Sequence, residues 1–422
     1  VDEVTTTWNN LWREAKGPLV EAMKWKTVLL SEIKRDHSPN RWTGKQVTIP
    51  IFLSPQQGAG SIGEVSPLNS PMIHDDAQTR IISGIVSIAI SFSTQVLLQA
   101  KGNENVWAEV MPTKMSRAED AFGRVINEMM SGQGNALLAA VAGSTSASAA
   151  TTQNINVGTS ANFYQLYVGR IVNVLVQASG ADATGLPTTT NVTGGTSWVP
   201  VKITDQNQTA GTITVQRVDG VAGNTTFATD TTMGVYIQGS YGTAIAGLQQ
   251  AVATTGIFQN LNKSNVDAWR GTDASPAALT DPTLAVLDKA ERTVIGRSGR
   301  SPDFYLGDPA VVDKYTQGLT VQARWAGEVG ELKSGWTGVR YRDKLLVPDY
   351  DHPLSQLTGI QLEDMTIYTL QDGPDWDNNT GNVLQRFQAR TLPVEAWLVW
   401  FLQLGFQACN ALVKVGNLTR AS

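Results

Sequence analysis

Cysteine is nearly missing from this chain: of 422 residues one is a cysteine, Cys409. A lone thiol excludes an intrachain disulfide framework and any cysteine-built metal site. Its setting, AWLVWFLQLGFQACNALV, predicts a buried, inert side chain. Histidine is almost as scarce. His37, His74 and His352 each stand alone between polar neighbours, without HxxH or HExxH spacing, and read as surface or loop residues rather than metal ligands or triad members. Charge is thin as well, at 16%, and 32 basic against 37 acidic residues leave a net charge of −5. No basic cluster stands ready to displace phosphate counterions, so any contact with DNA is expected to be weak and non-specific. There is no charge-free apolar span of the length a membrane helix needs, and no basic-then-apolar leader pattern. The expectation is a soluble, intracellularly made protein in which the sequons at Asn191, Asn207, Asn224 and Asn378 are chance. GxSxG, GKS/T and CxxC are missing too, which removes the usual hydrolase, nucleotide and redox signatures.

What the chain does contain is length enough for two or three domains, and glycine, serine, threonine, asparagine and glutamine in place of charge. That surface suits β-structure and subunit packing. Residues 1–45 read as a helical arm, TTWNNLWREAKGPLVEAMKWKTVLLSEIKR. A segment so short cannot bury Trp8, Leu11 and Trp12 alone, so it must dock on its own body or on a neighbour. From Lys45 to Lys101 the reading is an extended hairpin. KQVTIPIFL goes out, a Gly/Pro/Ser-rich tip at 54–71 turns, and TRIISGIVSIAISFSTQVLLQAK returns. Arg80–Ala100 fully extended would reach roughly 70 Å at about 3.3 Å per residue. A compact chain of this size has a radius of gyration of about 22 Å. Such a limb is predicted to lie across another subunit.

Further along, Ser116 and Glu119 in MSRAEDAFGRVINEMM form a capping box. Phe122, Val125, Ile126, Met129 and Met130 continue as one apolar stripe, with ALLAAVA at 136–142 as an extension and Gly132 and Gly134 as a bend. Residues 143–160 read as a Ser/Thr/Ala linker. Short alternating strands from Tyr164 to Tyr241 predict a small β-domain, a barrel or sandwich. The chain then turns α/β. Asp281 caps a helix that Gly296 stops, PDFYLG is a strand, and Asp308, Pro309 and Gly318 repeat the device.

The glycines Gly58, Gly60 and Gly63 match a GxGxxG dinucleotide turn, but Gly63 leads into EVSPLNSP, where Pro67 and Pro71 forbid the required helix. They are read as freedom for a hairpin tip, and no cofactor is assigned. Asp372, Asp375 and Asp377 offer hard oxygen ligands, yet the twelve-residue calcium-loop spacing is missing, so no metal is assigned and they stand as weak candidates. The paired bases Arg297/Arg300 and Arg340/Arg342 are candidates for contacts between subunits.

Three phrases carry a family resemblance. YVGRIVNVLV opens the β-domain, GSYGTAIAGLQQAV with VDAWRG returns from it, and GRSGRSPDFYLGDPAVVDKY makes a helix–strand–helix step. In this order the chain resembles the major capsid proteins of tailed bacteriophages, with the Hong Kong 97-type fold. The resemblance implies an α+β chain with an N-terminal arm (1–45) and an extended loop (46–104). A spine helix at about 113–142 with its linker fills 105–160, followed by an inserted β-domain (161–241), an axial domain (242–370) and a return to the peripheral domain (371–422). It implies no enzyme. The partners are other copies in hexamers and pentamers, a scaffolding protein, a portal at one vertex, a decoration protein on the exterior, and packaged double-stranded DNA touched non-specifically, with no membrane. The location is the virion, assembled in the bacterial cytoplasm. Trp8, Trp12, Gly58, Gly60, Gly63, Glu64 and the four arginines become contacts between subunits. The loop tip has no lysine, which removes the covalent crosslink of some relatives. An encapsulin-like compartment is the alternative, with a β-rich adhesive protein behind it.

Overall fold

The computed structural model describes residues 27–38, 41–52, 76–92, 104–145, 152–178, 189–190, 196–197, 200–218, 229–322, 329–331, 337–378 and 394–421. The fold is α+β, and its organising element is a 13-residue strand, Val394–Phe406. Its sequence is apolar almost throughout, and its branched and aromatic residues suit a pleated surface. Ala396, Leu398, Trp400, Leu402, Leu404 and Phe406 turn one face into the core. Both of its edges are paired. Met365–Thr369 and Asp375–Trp376 lie antiparallel along one edge. Gly84–Phe92 runs antiparallel along the other, from Leu402 back to Val394. Lys34–Asp36 completes this five-stranded sheet, parallel to Met365–Thr369.

The long helix, Glu104–Ser131, packs on that face. Met115, Phe122, Ile126, Met129 and Met130 share one core cluster with Leu398, Trp400 and Leu402, at the spacing an amphipathic helix requires. The Ser116–Glu119 box lies inside this helix, because the helix already begins at Glu104. Glu119 is buried there, and desolvation, then Asp120 beside it, pushes its carboxyl up to about 7. The predicted extension does not form. Gly134 is left-handed, at φ +73, and Leu137–Ala140 leaves as a strand. Gly132 and Gly134 therefore end the helix rather than bend it. A continuous apolar run such as ALLAAVA cannot be assigned to helix or strand by periodicity alone.

The returning limb of the hairpin is likewise two elements. Asp76–Ile82 pairs with Gln46–Phe52, the chain breaks at Ser83, and Gly84–Phe92 joins the body sheet. Gly84 permits the crossing: a Cβ there would meet Ile245 Cγ2 at 2.9 Å and the Leu402 carbonyl oxygen at 3.2 Å. Half of the predicted limb is thus satisfied by its own body. The base of the hairpin also rests on the body, with Val47 and Ile81 packed on Tyr368. The limb's tip, residues 53–75, lies outside the described residues, as do Trp8 and Trp12 of the arm.

The β-domain is a six-stranded antiparallel sheet, in the order Leu137–Ala140, Met233–Ile237, Ile171–Val176, Val201–Asn207, Thr212–Arg217 and Gln153–Asn156. A Gly143–Asn156 bridge joins its two ends, closing the sheet into a barrel. Its core includes Val141, Ile155, Val172, Val174, Ile203, Ile213 and Val235. The barrel takes in Leu137–Ala140 and Gln153–Asn156, expected as helix and linker, because two further strands are needed to remove the open edges.

A seven-stranded sheet runs in the order Thr272–Asp273, Val413–Val415, Leu357–Ile360, Phe304–Gly307, Lys344–Pro348, Thr337–Tyr341 and Val329–Glu331. The helices Leu284–Ser298 and Pro309–Gln322 cover it through Leu287, Val294, Val311 and Tyr315. Thr283 rather than Asp281 occupies the N-cap position of the first helix, without a side-chain capping bond, and the helix ends at the left-handed Gly299 rather than at Gly296. The second runs past Gly318. Val413–Val415 belongs to this sheet and not to a peripheral return. Its alternation buries Val413 and Val415 beside Leu357.

Candidate functional site: an exposed sheet edge and a buried junction

Two features stand out for what they can do. The first is the edge formed by Gly84–Phe92. Met365–Thr369 and Gly84–Phe92 both pair with Leu402, and so occupy opposite edges of Val394–Phe406. Among the described residues nothing pairs with the outer edge of Gly84–Phe92. GIVSIAISF has no charge and no proline, the devices that normally blunt such an edge. Ile85 is 61% exposed, as is Ile82 just before it. Ile82 also lines a hollow of about 450 Å³ with Ala244, Ala246 and Ile257.

The second is a buried polar junction where the long helix, the barrel and the seven-stranded sheet meet. Arg124, Asn127, Glu128 and Ser131 recur at i, i+3, i+4 and i+7, which puts them on one stripe of the helix. Glu128 receives both guanidinium nitrogens of Arg170 in the barrel, at 2.9 and 2.6 Å. Arg124 Nη2 donates to the Tyr164 carbonyl at 2.8 Å, and its guanidinium sits over the Tyr164 and Tyr167 rings, at 4.3 and 4.6 Å. Asn127 Nδ2 donates to Asp351 Oδ2 at 2.7 Å. Gln165 reaches the Asp351 carbonyl at 3.0 Å, and Asn162 the Tyr350 carbonyl at 2.8 Å. Burial above all, then Asp349 and Glu128, pushes the Asp351 carboxyl up to about 8. Asp349 is raised in the same direction, by burial first.

His352 follows directly, in the loop between Lys344–Pro348 and Leu357–Ile360 as expected, but it is fully buried rather than at the surface. Its Nδ1 faces the Pro353 carbonyl at 3.1 Å, so that nitrogen carries the hydrogen, and Nε2 accepts from the Thr358 hydroxyl at 2.9 Å. Burial pulls its pKa down to about 4. Lys263 is also fully enclosed. Its ammonium donates to the carbonyls of Gln250, Ala251 and Ala253 at the end of the short helix Leu248–Val252, where a cation is favoured. None of these side chains carries a motif. The four-residue stripe on the long helix is the one sequence signal that could have pointed to them.

The predicted site residues are placed as follows. Arg297 donates to the Gly271 carbonyl at 2.9 Å and to Asp267 at 3.2 Å. Arg300 pairs with Asp364 at 3.0 Å and Arg342 with Asp288 at 2.8 Å, so these three arginines are engaged within their own chain. Arg340 lies in the strand Thr337–Tyr341. Asp375 lies in a two-residue strand beside the central one, and Asp372 is within 3.8 Å of His37. Among the described residues no three His, Cys, Asp or Glu side chains gather to hold a metal ion, and no helix is long and apolar enough to cross a membrane. Cys409 is buried, and its thiol is raised to about 12 by burial. Gly58, Gly60, Gly63 and Glu64 lie outside the described residues.

No family model matches the sequence, and no curated protein matches it. Solved structures do resemble the chain. One is the capsid asymmetric unit of cyanophage A-1(L), at 11% identity and a TM-score of 0.49, over 94% of this chain and 92% of that one. The satellite phage P4 procapsid including the size determination protein aligns at 9% identity and a TM-score of 0.43, over 99% and 98%. An encapsulin complex from Synechococcus elongatus aligns at 14% identity and a TM-score of 0.31, over 42% of this chain and 59% of that one.

Proposed function

We propose that this chain is the major capsid protein of a tailed bacteriophage, with the Hong Kong 97-type fold. Copies assemble through hexamers and pentamers into an icosahedral shell around double-stranded DNA. The observation that carries the reading is the edge strand Gly84–Phe92: nine uncharged residues, about 30 Å long, whose outer edge has no partner among the described residues, with Ile85 within it and Ile82 just before it exposed. A folded monomer blunts such an edge; a subunit that is completed by its neighbours needs it open. The order of elements supports the same reading, with a hairpin, a long helix on a sheet, a barrel inserted after that helix, and a second α/β layer.

Interfaces of this obligate kind bury about 2,000–5,000 Å² each. Trp8, Trp12 and the tip glycines Gly58, Gly60 and Gly63 with Glu64 are assigned to them. Scaffolding, portal and decoration proteins are the further partners, DNA is confined by a wall of net negative charge, and assembly takes place in the bacterial cytoplasm. The role is structural rather than catalytic. Electron microscopy of the purified full chain, with analytical ultracentrifugation, tests this. Closed shells tens of nanometres across are expected, and a chain that stays monomeric at high concentration, with or without a scaffolding partner, would refute it. Finding the chain in DNA-filled particles by mass spectrometry separates it from an encapsulin-like compartment.

A further inference from the structure

The junction contains two buried oxygens without partners, and they belong to side chains that are already joined. Asn127 Nδ2 donates to Asp351 Oδ2 at 2.7 Å, while Asn127 Oδ1 and Asp351 Oδ1 are buried and accept nothing. With an ionised carboxylate both are acceptors, a condition folded proteins rarely tolerate in the interior. Turning the amide over does not help, since an amide set against a carboxylate always leaves one oxygen without a donor. We propose that Asp351 keeps a proton at neutral pH and donates it to Asn127 Oδ1, closing a two-bond acid–amide ring that clasps the long helix to the segment entering the strand Leu357–Ile360.

The surroundings agree. Arg170 of the barrel is committed to Glu128 through two nitrogens, and Arg124, the one cation that favours a charged Asp351, is stacked on Tyr164 and Tyr167 and is outweighed by burial, Asp349 and Glu128. Asp349 and Glu128 both oppose a second negative charge at this place. His352 is turned to Thr358 and Pro353 and is uncharged at neutral pH. Between the two aspartates the geometry assigns the proton to Asp351. Asp349 receives the Asp351 N–H at 3.0 Å on one oxygen and the Ser131 hydroxyl at 3.4 Å on the other, which suits an anion. Raising the pH removes the proton, breaks the ring and sets two carboxylates against each other, loosening the place where helix, barrel and sheet meet. The clasp does not depend on the capsid reading.

The sign follows from linkage. A carboxyl that holds its proton better when folded adds stability in acid, and that stability is lost as the pH rises to about 8. The test uses the full chain and Asp351→Asn, whose amide can make both bonds without titrating. In a Glu119→Gln background, which removes the other carboxyl raised to about 7, infrared difference spectra are expected to show the C=O stretch of a neutral carboxylic acid at pH 7, lost on adding Asp351→Asn and fading above about pH 8. Between pH 5 and 8 the opening equilibrium of the junction, read by hydrogen exchange of its peptides and corrected for the intrinsic pH dependence of exchange, should shift toward the open state about tenfold per pH unit relative to Asp351→Asn. At pH 5, Asp349→Asn should keep the band. An Asp351→Asn protein with the parent's band and pH dependence would overturn the proposal, and so would a band that vanishes in Asp349→Asn instead.

Discussion

The Arg170–Glu128 pair lets one interaction be followed through the fold. Its side chains are 5% and 1% exposed, and both guanidinium–carboxylate bonds are short. Arg170→Met removes the bidentate cation and leaves the buried Glu128 carboxylate only Arg124, 3.8 Å away, a loss of about 3–5 kcal/mol for a broken buried pair. Glu128→Leu with Arg170→Met removes both charges and should return to within about 1 kcal/mol of the parent, because desolvation of the pair disappears along with its attraction. Global unfolding of a chain with several cores is not two-state, so the suitable assay is hydrogen exchange read by peptide. Amides of Ile171–Val176 and Val201–Asn207 should exchange about 160- to 4,700-fold faster in Arg170→Met, by the rule of tenfold per 1.36 kcal/mol. If Arg170→Met exchanged within threefold of the parent, or if the double variant were worse than the single, the pair would not be what fixes the barrel to the helix.

Three further outcomes are expected. Trp400→Ala empties a fully buried site between the central strand and the long helix and should cost about 3–5 kcal/mol, visible as faster hydrogen exchange of the Val394–Phe406 amides. His352 is held neutral, so acid should destabilise the chain as the pH falls from about 6.5 to about 4, and His352→Gln should flatten that part of the stability profile. Gly84→Val would drive a side chain into Ile245 and the Leu402 carbonyl, displacing the edge strand. Shell formation, followed by sedimentation, should fail while the circular dichroism of the barrel and the seven-stranded sheet persists.

The sequence displays local chemistry well and long-range pairing poorly, and the errors divide along that line. Phe122, Ile126 and Met129 announced the long helix because a period of 3.6 is written in adjacent residues. The alternation at 171–176, 201–207 and 212–217 announced the barrel for the same reason. The break at Ser83–Gly84 was hidden, because whether GIVSIAISF continues the hairpin or joins the body depends on Val394–Leu402, far along the chain. Leu137–Ala140 was misread because an apolar run between a helix and a barrel fits both until its partner Met233–Ile237 is known. The junction was almost invisible: Asn127, Arg170 and Asp351 come from three separate segments, and each alone reads as an ordinary polar residue. His352 shows the converse error. Polar neighbours in sequence suggested solvent, whereas the neighbours in space are Thr358 and the Pro353 carbonyl.

The pairing of Gly84–Phe92 with Val394–Leu402 also sets a timetable for synthesis. A ribosome adding about 5–20 residues per second needs roughly 15–60 s to travel from one strand to the other. Throughout that interval the early strand has neither of its edges covered, and Lys34–Asp36 still waits for Met365–Thr369. The nascent chain therefore carries an adhesive ribbon before it owns the surface that shields one side of it. Neighbouring polysome-bound copies should need a chaperone's custody until translation is nearly finished.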